Sequence, residues 1–342
     1  MSTQLNAVIF GGTGFIGSYL ALEILKSKTI EKVYLFDLKP VCDLRFMPIL
    51  NSAIDHGKIE YHFCDVRKSI VEQVPQLANV GLIANLAAIH REPGHENHEY
   101  YETNLLGAEN VCTWADQVGC NNILFTSSIA PYGPSELSKT EESLPVPVTA
   151  YGGSKLAAEK IHIAWQCQDH VNKKLTIVRP GVVFGAGEGG NVSRLIKAVL
   201  GRYFFYMGNK HTRKAGTYVK ELCRAMLWVH ESTSDNRNIR LFNMSMNPGP
   251  SMEEYVDTIC EVAGVKRVVP SVPFAILYPA SFLVDAITSL LRINQPISPV
   301  RIKKLVKSNN ILPQYLERQG YEYQYTLKSA FEDWKQQMPS EW

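Results

Sequence analysis

Short apolar runs recur along the first half of the chain, separated by longer stretches in which apolar residues return every three or four positions. The runs Val8-Ile9-Phe10, Lys32-Val33-Tyr34-Leu35-Phe36 and Ile59-Glu60-Tyr61-His62-Phe63 predict the first three strands. Gly81–Ala88, Asn122-Ile123-Leu124-Phe125-Thr126 and Leu175-Thr176-Ile177-Val178 predict three more. Helical spacing covers Ser18–Leu25, Glu99–Val118 and Tyr151–Gln168. Strands alternating with helices predict an α/β protein built on a parallel sheet with helices on both faces.

After Arg179-Pro180 the pattern changes. Gly181, Gly185, Gly187, Gly189 and Gly190 crowd together, and short helices alternate with brief strands. The expected division is a sheet domain over 1–180 and a smaller, mainly substrate-binding cap over 181–342. Leu241-Phe242-Asn243-Met244 reads as a core strand returning to the first domain. Pro273–Leu291 is almost wholly apolar and approaches spanning length, but Pro279 and Asp285 interrupt it. A buried or surface-lying amphipathic helix fits it better. Arg301, Lys303, Lys304 and Lys307 follow, and they suit either an anionic surface or plain solvent.

The 342 residues suit one large domain or two unequal ones. Thirty-five basic against thirty-three acidic residues leave no field to attract nucleic acid. Cys42, Cys64, Cys112, Cys120, Cys167, Cys223 and Cys260 show no metal or redox spacing. They read as free thiols in a reducing cytoplasm, and no metal site is expected. The first strand starts so early that no signal peptide is expected before it.

The first strand ends in Gly11-Gly12-Thr13-Gly14-Phe15-Ile16-Gly17. Gly11 permits a tight turn, Gly14 lets backbone approach a pyrophosphate, and Gly17 lets helix and strand pack closely. The amides opening the following helix then face the phosphates. The second strand ends in Asp37, twenty residues after Gly17. A carboxylate there accepts the ribose hydroxyls of NAD and repels a 2′-phosphate. Lys39 and Arg45 lie close in sequence and leave NADP open. Asp65, after the third strand, stands where it could meet an adenine or cap a helix.

Tyr151 and Lys155 are four apart at a helix start and share one face. An ammonium there, helped by a cationic nicotinamide, lowers the phenol pKa and makes it a base for a sugar hydroxyl. Ser127 and Ser128 follow the fifth strand, at the edge where open parallel sheets bind ligands.

The glycine turn, Asp37, Asn85-Leu86-Ala87-Ala88, Asn104 and Ser-Ser-x-x-x-Tyr-Gly ending at Gly133 occur in order. Tyr-Gly-x-Ser-Lys from Tyr151 and Arg-Pro-Gly-Val-Val-Phe-Gly from Arg179 complete the set. Together they resemble the extended short-chain dehydrogenases, and more closely their sugar-nucleotide epimerase/dehydratase branch. The resemblance covers nearly the whole chain. It implies a Rossmann-type doubly wound parallel sheet with a smaller mixed α/β C-terminal cap. It makes Ser128, rather than Ser127, the catalytic serine beside Tyr151 and Lys155. Asn104 would hold a helix kink and a water near Lys155. Cofactor contacts would come from Gly11, Thr13, Gly14, Phe15, Ile16, Gly17, Asp37, Asp65, Val66, Leu86, Ala87, Ala88, Tyr151, Lys155 and Pro180. The two long helices would pair with their copies in a homodimer.

Dehydratases of this branch carry an Asp-Glu pair where this chain has Ile129 and Ala130, which disfavours dehydration. Substrate contacts are expected from His90, Arg91, Ser128, Asn191, Arg194 and Arg213. Glu188–Arg194 opens a helix and offers an anion site, with Arg194 one turn in. Lys210 and Lys214, in the cluster with Arg213, read as solvated. The leading expectation is an NAD-dependent 4-epimerase of a diphosphate-linked sugar, such as a UDP-hexose or UDP-N-acetylhexosamine. A 4-keto-sugar reductase using NADH or NADPH is the alternative, and a silent NAD-binding protein a distant third. The late apolar run and basic helix are also similar to epimerases acting on polyprenyl-diphosphate sugars. That version works at the inner face of a membrane.

Overall fold

A computed structural model describes residues 4–40, 48–92, 94–232, 236–276, 278, 279, 282 and 308–342. Cys42, Arg45, most of Pro273–Leu291 and all of 301–307 lie outside the described residues. The first half runs β1 (Leu5–Phe10), α1 (Phe15–Ile24), β2 (Ile30–Asp37), α2 (Pro48–Asp55), β3 (Ile59–Phe63) and β4 (Val80–Asn85). It continues through α3 (Asn97–Gln117), β5 (Asn122–Thr126), β6 (Ser135–Lys139), α4 (Ala150–Cys167) and β7 (Lys174–Pro180). The second half runs β8 (Val182–Phe184), α5 (Asn191–Leu200), β9 (Tyr206–Met207), β10 (Gly216–Tyr218), α6 (Val219–Glu231) and β11 (Ile239–Met244). Then come α7 (Met252–Ala263), β12 (Ser271–Val272), β13 (Asn309–Ile311), α8 (Gln314–Arg318) and α9 (Leu327–Gln337).

Seven strands form one sheet in the order β11-β7-β5-β4-β1-β2-β3, every neighbouring pair parallel. Strand side chains alternate between faces, so each face needs its own cover. Val8, Phe10, Ile83 and Phe125 pack under Trp114 of α3 and Trp165 of α4. Ala7, Ile9, Leu35 and Val178 pack on the other face, under Leu20 of α1 and Leu222 and Met226 of α6. The doubly wound sheet is therefore as expected. The order reverses between β1 and β4, which opens a crevice at the carboxyl ends of those strands.

Both long helices begin slightly earlier than the apolar spacing predicts. Glu96 and Glu99 form a capping box that starts α3 at Asn97, and the Thr149 hydroxyl accepts the Gly152 amide to start α4 at Ala150. The strand expected over Gly81–Ala88 stops at Asn85. Beyond it, the Asn104 side chain takes both backbone groups of Ile89, at 3.0 and 3.3 Å.

The anticipated returning strand is β11, seventh in the main sheet. Beyond Pro180 the remaining strands form two-stranded pieces, β8 with β10 and β9 with β12, while β13 pairs back to β6. Phe184, Tyr218, Tyr255, Phe331 and Trp334 join the same apolar cluster as the α1 face of the sheet. The two halves thus share one core.

Candidate active site

Gly11 has φ +73°, and a Cβ there would lie 2.8 Å from the Ala87 amide nitrogen. The turn after β1 therefore abuts the chain leaving β4, and only glycine allows it. Helix α1 opens at Gly14 with no side-chain cap and no acidic residue in its first turn. Its amide end is left for an anion. The Asp37 carboxylate is fixed by the Thr13 amide at 3.1 Å and the Leu38 amide at 2.7 Å, and the Thr13 hydroxyl donates to the Lys39 carbonyl. Two buried polar atoms at the crevice edge, Asn85 Oδ1 and Thr126 Oγ1, find no hydrogen-bond partner among the described residues. Buried polar groups rarely stay unpaired. An uncapped helix end, an oriented carboxylate and polar atoms in need of partners fit a dinucleotide such as NAD.

Asp65 has a different occupation. Its carboxylate takes Arg67 Nε at 2.9 Å and Nη2 at 2.8 Å, with the Arg67 amide at 3.1 Å. It caps a turn rather than a helix, and the guanidinium holds its carboxyl below the usual range. Neighbouring Val66 is buried, its carbonyl taken by Asn110 Nδ2.

The two serines after β5 part ways. Ser127 Oγ donates to Glu159 Oε1 at 2.5 Å, and Arg179 closes on the same buried carboxylate through Nε at 2.8 Å and Nη2 at 2.6 Å. Ser128 is left to the cleft beside the Tyr151 phenol, and its Oγ accepts the Ala130 amide at 3.1 Å. Ser127 N–H donates to Val178 O, and Ile129 N–H to Pro180 O, so β7 holds this segment to the sheet edge.

Helix α4 presents a buried polar stripe of Lys155, Glu159, His162 and Gln166, one face at helical spacing. Lys155 is 2% exposed, and its ammonium sits over the Phe125 ring. Burial pulls this lysine down to about 7 against the opposing pull of Glu159. Burial also holds the Tyr151 phenol above its ordinary value, with the Ser128 hydroxyl pulling the other way. The lowered tyrosine expected from the sequence is therefore not a property of the protein alone. His162 stacks on Phe125, its Nδ1 bonded to the Ala158 carbonyl and its Nε2 facing Asn85 Nδ2 at 3.3 Å. Phe125 and His162 were not anticipated, although counting four and seven positions on from Lys155 would have found Glu159 and His162.

Asn104 bonds Ser154 Oγ at 2.9 Å as well as Ile89, so it ties α3 to α4 and to the loop after β4. Helix α3 runs unbroken through it. On that loop, burial holds the His90 imidazole below its usual value, and the Arg91 and Lys155 charges add to the effect. Tyr100, also unanticipated, bonds the Arg91 carbonyl and places its ring 6.1 Å from that of Tyr151.

The expected anion site at α5 is filled from within. Glu188 accepts the Val192 and Ser193 amides and the Ser193 hydroxyl. Arg194 Nη2 donates to Asn191 Oδ1 at 2.7 Å. Arg213 Nη1 donates to the Gly249 carbonyl and lies 3.6 Å from Glu254, while Lys210 is paired with Glu253.

The model of the NAD dependent epimerase/dehydratase family matches residues 7–245. The chain belongs to that family. NAD is accordingly its cofactor. An N-acetyl-alpha-D-glucosaminyl-diphospho-ditrans,octacis-undecaprenol 4-epimerase from Escherichia coli O157:H7 is 24% identical over 333 residues, 96% of this chain and 93% of that protein. The fold is similar to that of a UDP-N-acetylglucosamine 4-epimerase from Methanobrevibacter ruminantium M1 in complex with UDP-N-acetylmuramic acid. That likeness has a TM-score of 0.75 at 18% identity, over 99% of this chain and 100% of the other. MoeE5 in complex with UDP-glucose and NAD matches at TM-score 0.70 and 21% identity, over 98% and 99% of the two chains. As an epimerase/dehydratase family member, the chain places its motif residues on the sheet edge described above.

Proposed function

We propose that the protein is an NAD-dependent epimerase acting at C4 of a diphosphate-linked sugar. The observation carrying this is the meeting of Ser128 and Tyr151 next to buried Lys155, two strands along from the glycine turn. Held by the glycine turn, the uncapped amide end of α1 and Asp37, NAD would supply a hydride acceptor and donor at C4. Tyr151 Oη takes the proton of the C4 hydroxyl as hydride leaves, and gives it back to the same oxygen after the keto sugar has turned over. Ser128 Oγ donates to that oxygen, and the Lys155 ammonium steadies the phenolate. Neither Ile129 nor Ala130 can supply the acid that water elimination needs, which supports epimerisation over dehydration.

His90 and Arg91, on the loop clamped by Tyr100, are proposed to contact the sugar. Arg213, the partly exposed cation, is proposed to hold the diphosphate side. Asn104 acts as a positioning residue through Ile89 and Ser154. Tyr101 and Leu106 are exposed on α3 and support pairing of α3 and α4 with their copies in a homodimer, which light scattering tests. We place the enzyme in the cytoplasm, at the inner face of the membrane. Among the described residues no helix is long and apolar enough to cross it.

The test is interconversion of C4 epimers, followed by NMR, on UDP-N-acetylglucosamine, UDP-glucose and a short-chain prenyl-diphosphate N-acetylglucosamine. Protein purified with NAD in place should act with none added, and Tyr151→Phe should lose at least ~10²-fold in turnover while still binding NAD. Consumption of added NADH with a 4-keto sugar, and no epimer, would replace this reading with a reductase.

A further inference from the structure

The turn Gly208–Lys214 stands between two groups of exposed apolar side chains. The chain leaves it on one side at β12, where the Gly208 amide donates to the Val272 carbonyl and Ser271 Oγ to the Gly208 carbonyl. It returns on the other side at β13, where the Asn309 amide donates to the Arg213 carbonyl, and β13 in turn pairs with β6. Around the exit, Val268 is 95% and Ile276 62% exposed. Phe274, Tyr278 and Phe282 follow at four-residue spacing, each ring centroid 5.2 Å from the next. Beside the return, Leu137 of β6 is 77% exposed, and Leu144, Val146 and Val148 alternate outward along the strand-like run that leads to α4.

Single exposed apolar residues are ordinary, whereas neighbouring groups of them mark an interface. Their position relative to the cleft is specific. The Val146 carbonyl lies against Gly133, five residues beyond Ser128, and Val148 directly precedes the Thr149 cap of the helix bearing Tyr151. The turn itself carries Lys210, His211, Arg213 and Lys214, with Lys210 and His211 facing Glu253 and Arg213 facing Glu254. Near Val268, a cavity of about 420 Å³ is lined by Arg202, Tyr203, Phe205 and Lys266, with no acidic side chain in its lining. Apolar side chains rimmed by cations and aromatic rings match an anionic lipid surface, where the former enter the acyl boundary and the latter meet phosphates.

We propose that this edge seats the protein on an anionic bilayer, so that the cleft takes its sugar from a polyprenyl diphosphate held in that bilayer. The inference rests on the proposed function and adds the carrier to it. A nucleotide-linked sugar needs no apolar rim beside the cleft. A polyprenyl-linked one places its diphosphate at the membrane surface and requires the enzyme to sit there.

The experiment uses the full chain with vesicles of phosphatidylcholine alone or with one quarter phosphatidylglycerol. Wild type should co-sediment with the anionic vesicles at low salt, less so at high salt. A Leu144→Asp/Val146→Asp/Val148→Asp variant and an Ile276→Asp/Phe282→Asp variant should each partition at least ten-fold more weakly, with Tm kept to show folding. Wild type remaining in the supernatant with both vesicles overturns the proposal, and so do variants that pellet like wild type. Turnover of the short-chain prenyl-diphosphate sugar in detergent reads the proposed function separately. Activity there without vesicle binding removes only this inference, and vesicle binding without turnover of any sugar removes only the epimerase.

Discussion

The Lys155 ammonium lies 4.4 Å from the centroid of the Phe125 ring, with both side chains buried. A ring face attracts a cation, and it does so more strongly where water is excluded. Phe125 thus opposes the burial that pulls Lys155 down to about 7.

Removing that face should leave the ammonium less favoured. In Phe125→Leu the limb of the kcat–pH profile on which Lys155 loses its proton should move to lower pH by about one unit, the equivalent of about 1.4 kcal/mol. Phe125→Tyr keeps the ring and should keep the profile. Identical profiles in wild type and Phe125→Leu would show that the ring only fills space.

Glu159 and Arg179 form an ion pair in which both side chains are almost fully buried. Taking away one partner leaves an uncompensated charge in the core. Arg179→Met should cost about 3–5 kcal/mol of stability by urea unfolding. Adding Glu159→Gln to it should restore part of that loss, because the stranded carboxylate is gone. A single variant within 1 kcal/mol of wild type, on the order of an ordinary surface change, would refute this.

Asp37 is oriented by two backbone amides at the end of β2. A 2′-phosphate placed against it would bring like charges together. Cofactor-free protein should bind NAD at least ~10-fold more tightly than NADP, roughly 1.4 kcal/mol or more, and Asp37→Ser should narrow the gap. Calorimetric titration with each cofactor measures it, and equal affinities in wild type would show that another group reads the ribose.

Two buried histidines predict the acid response. Burial holds His162 down to about 4, with Lys155 adding to it, and His230 down to about 3, with Lys174 and Arg240 adding. Below pH 6.5 the unfolded chain binds these protons and the native one does not, so stability falls as pH drops toward those values. Each histidine contributes a slope of up to about 1.4 kcal/mol per pH unit. Urea midpoints at pH 6.5, 5.5 and 4.5 should show it, and His162→Gln should flatten the slope by one histidine's share. Parallel slopes would rule His162 out.

Local periodicity was enough to determine the parallel strands, the two long helices, the glycine turn, Asp37 and the shared face of Tyr151 and Lys155. Each depends on residues within a few positions of one another, or on a fixed twenty-residue unit. The roles of neighbouring, chemically identical groups were decided by tertiary structure. Ser127 and Ser128 differ because Glu159, thirty-two residues on, takes the first, and Arg179 on β7 secures that carboxylate. Asp65 turned to Arg67 and Glu188 filled the α5 end, both within five residues, whereas Asn104 holds Ile89, fifteen residues back, by a tertiary contact. A polar side chain takes whichever partner folding brings within about 3 Å, and except where that partner is close in sequence, the order of residues does not name it.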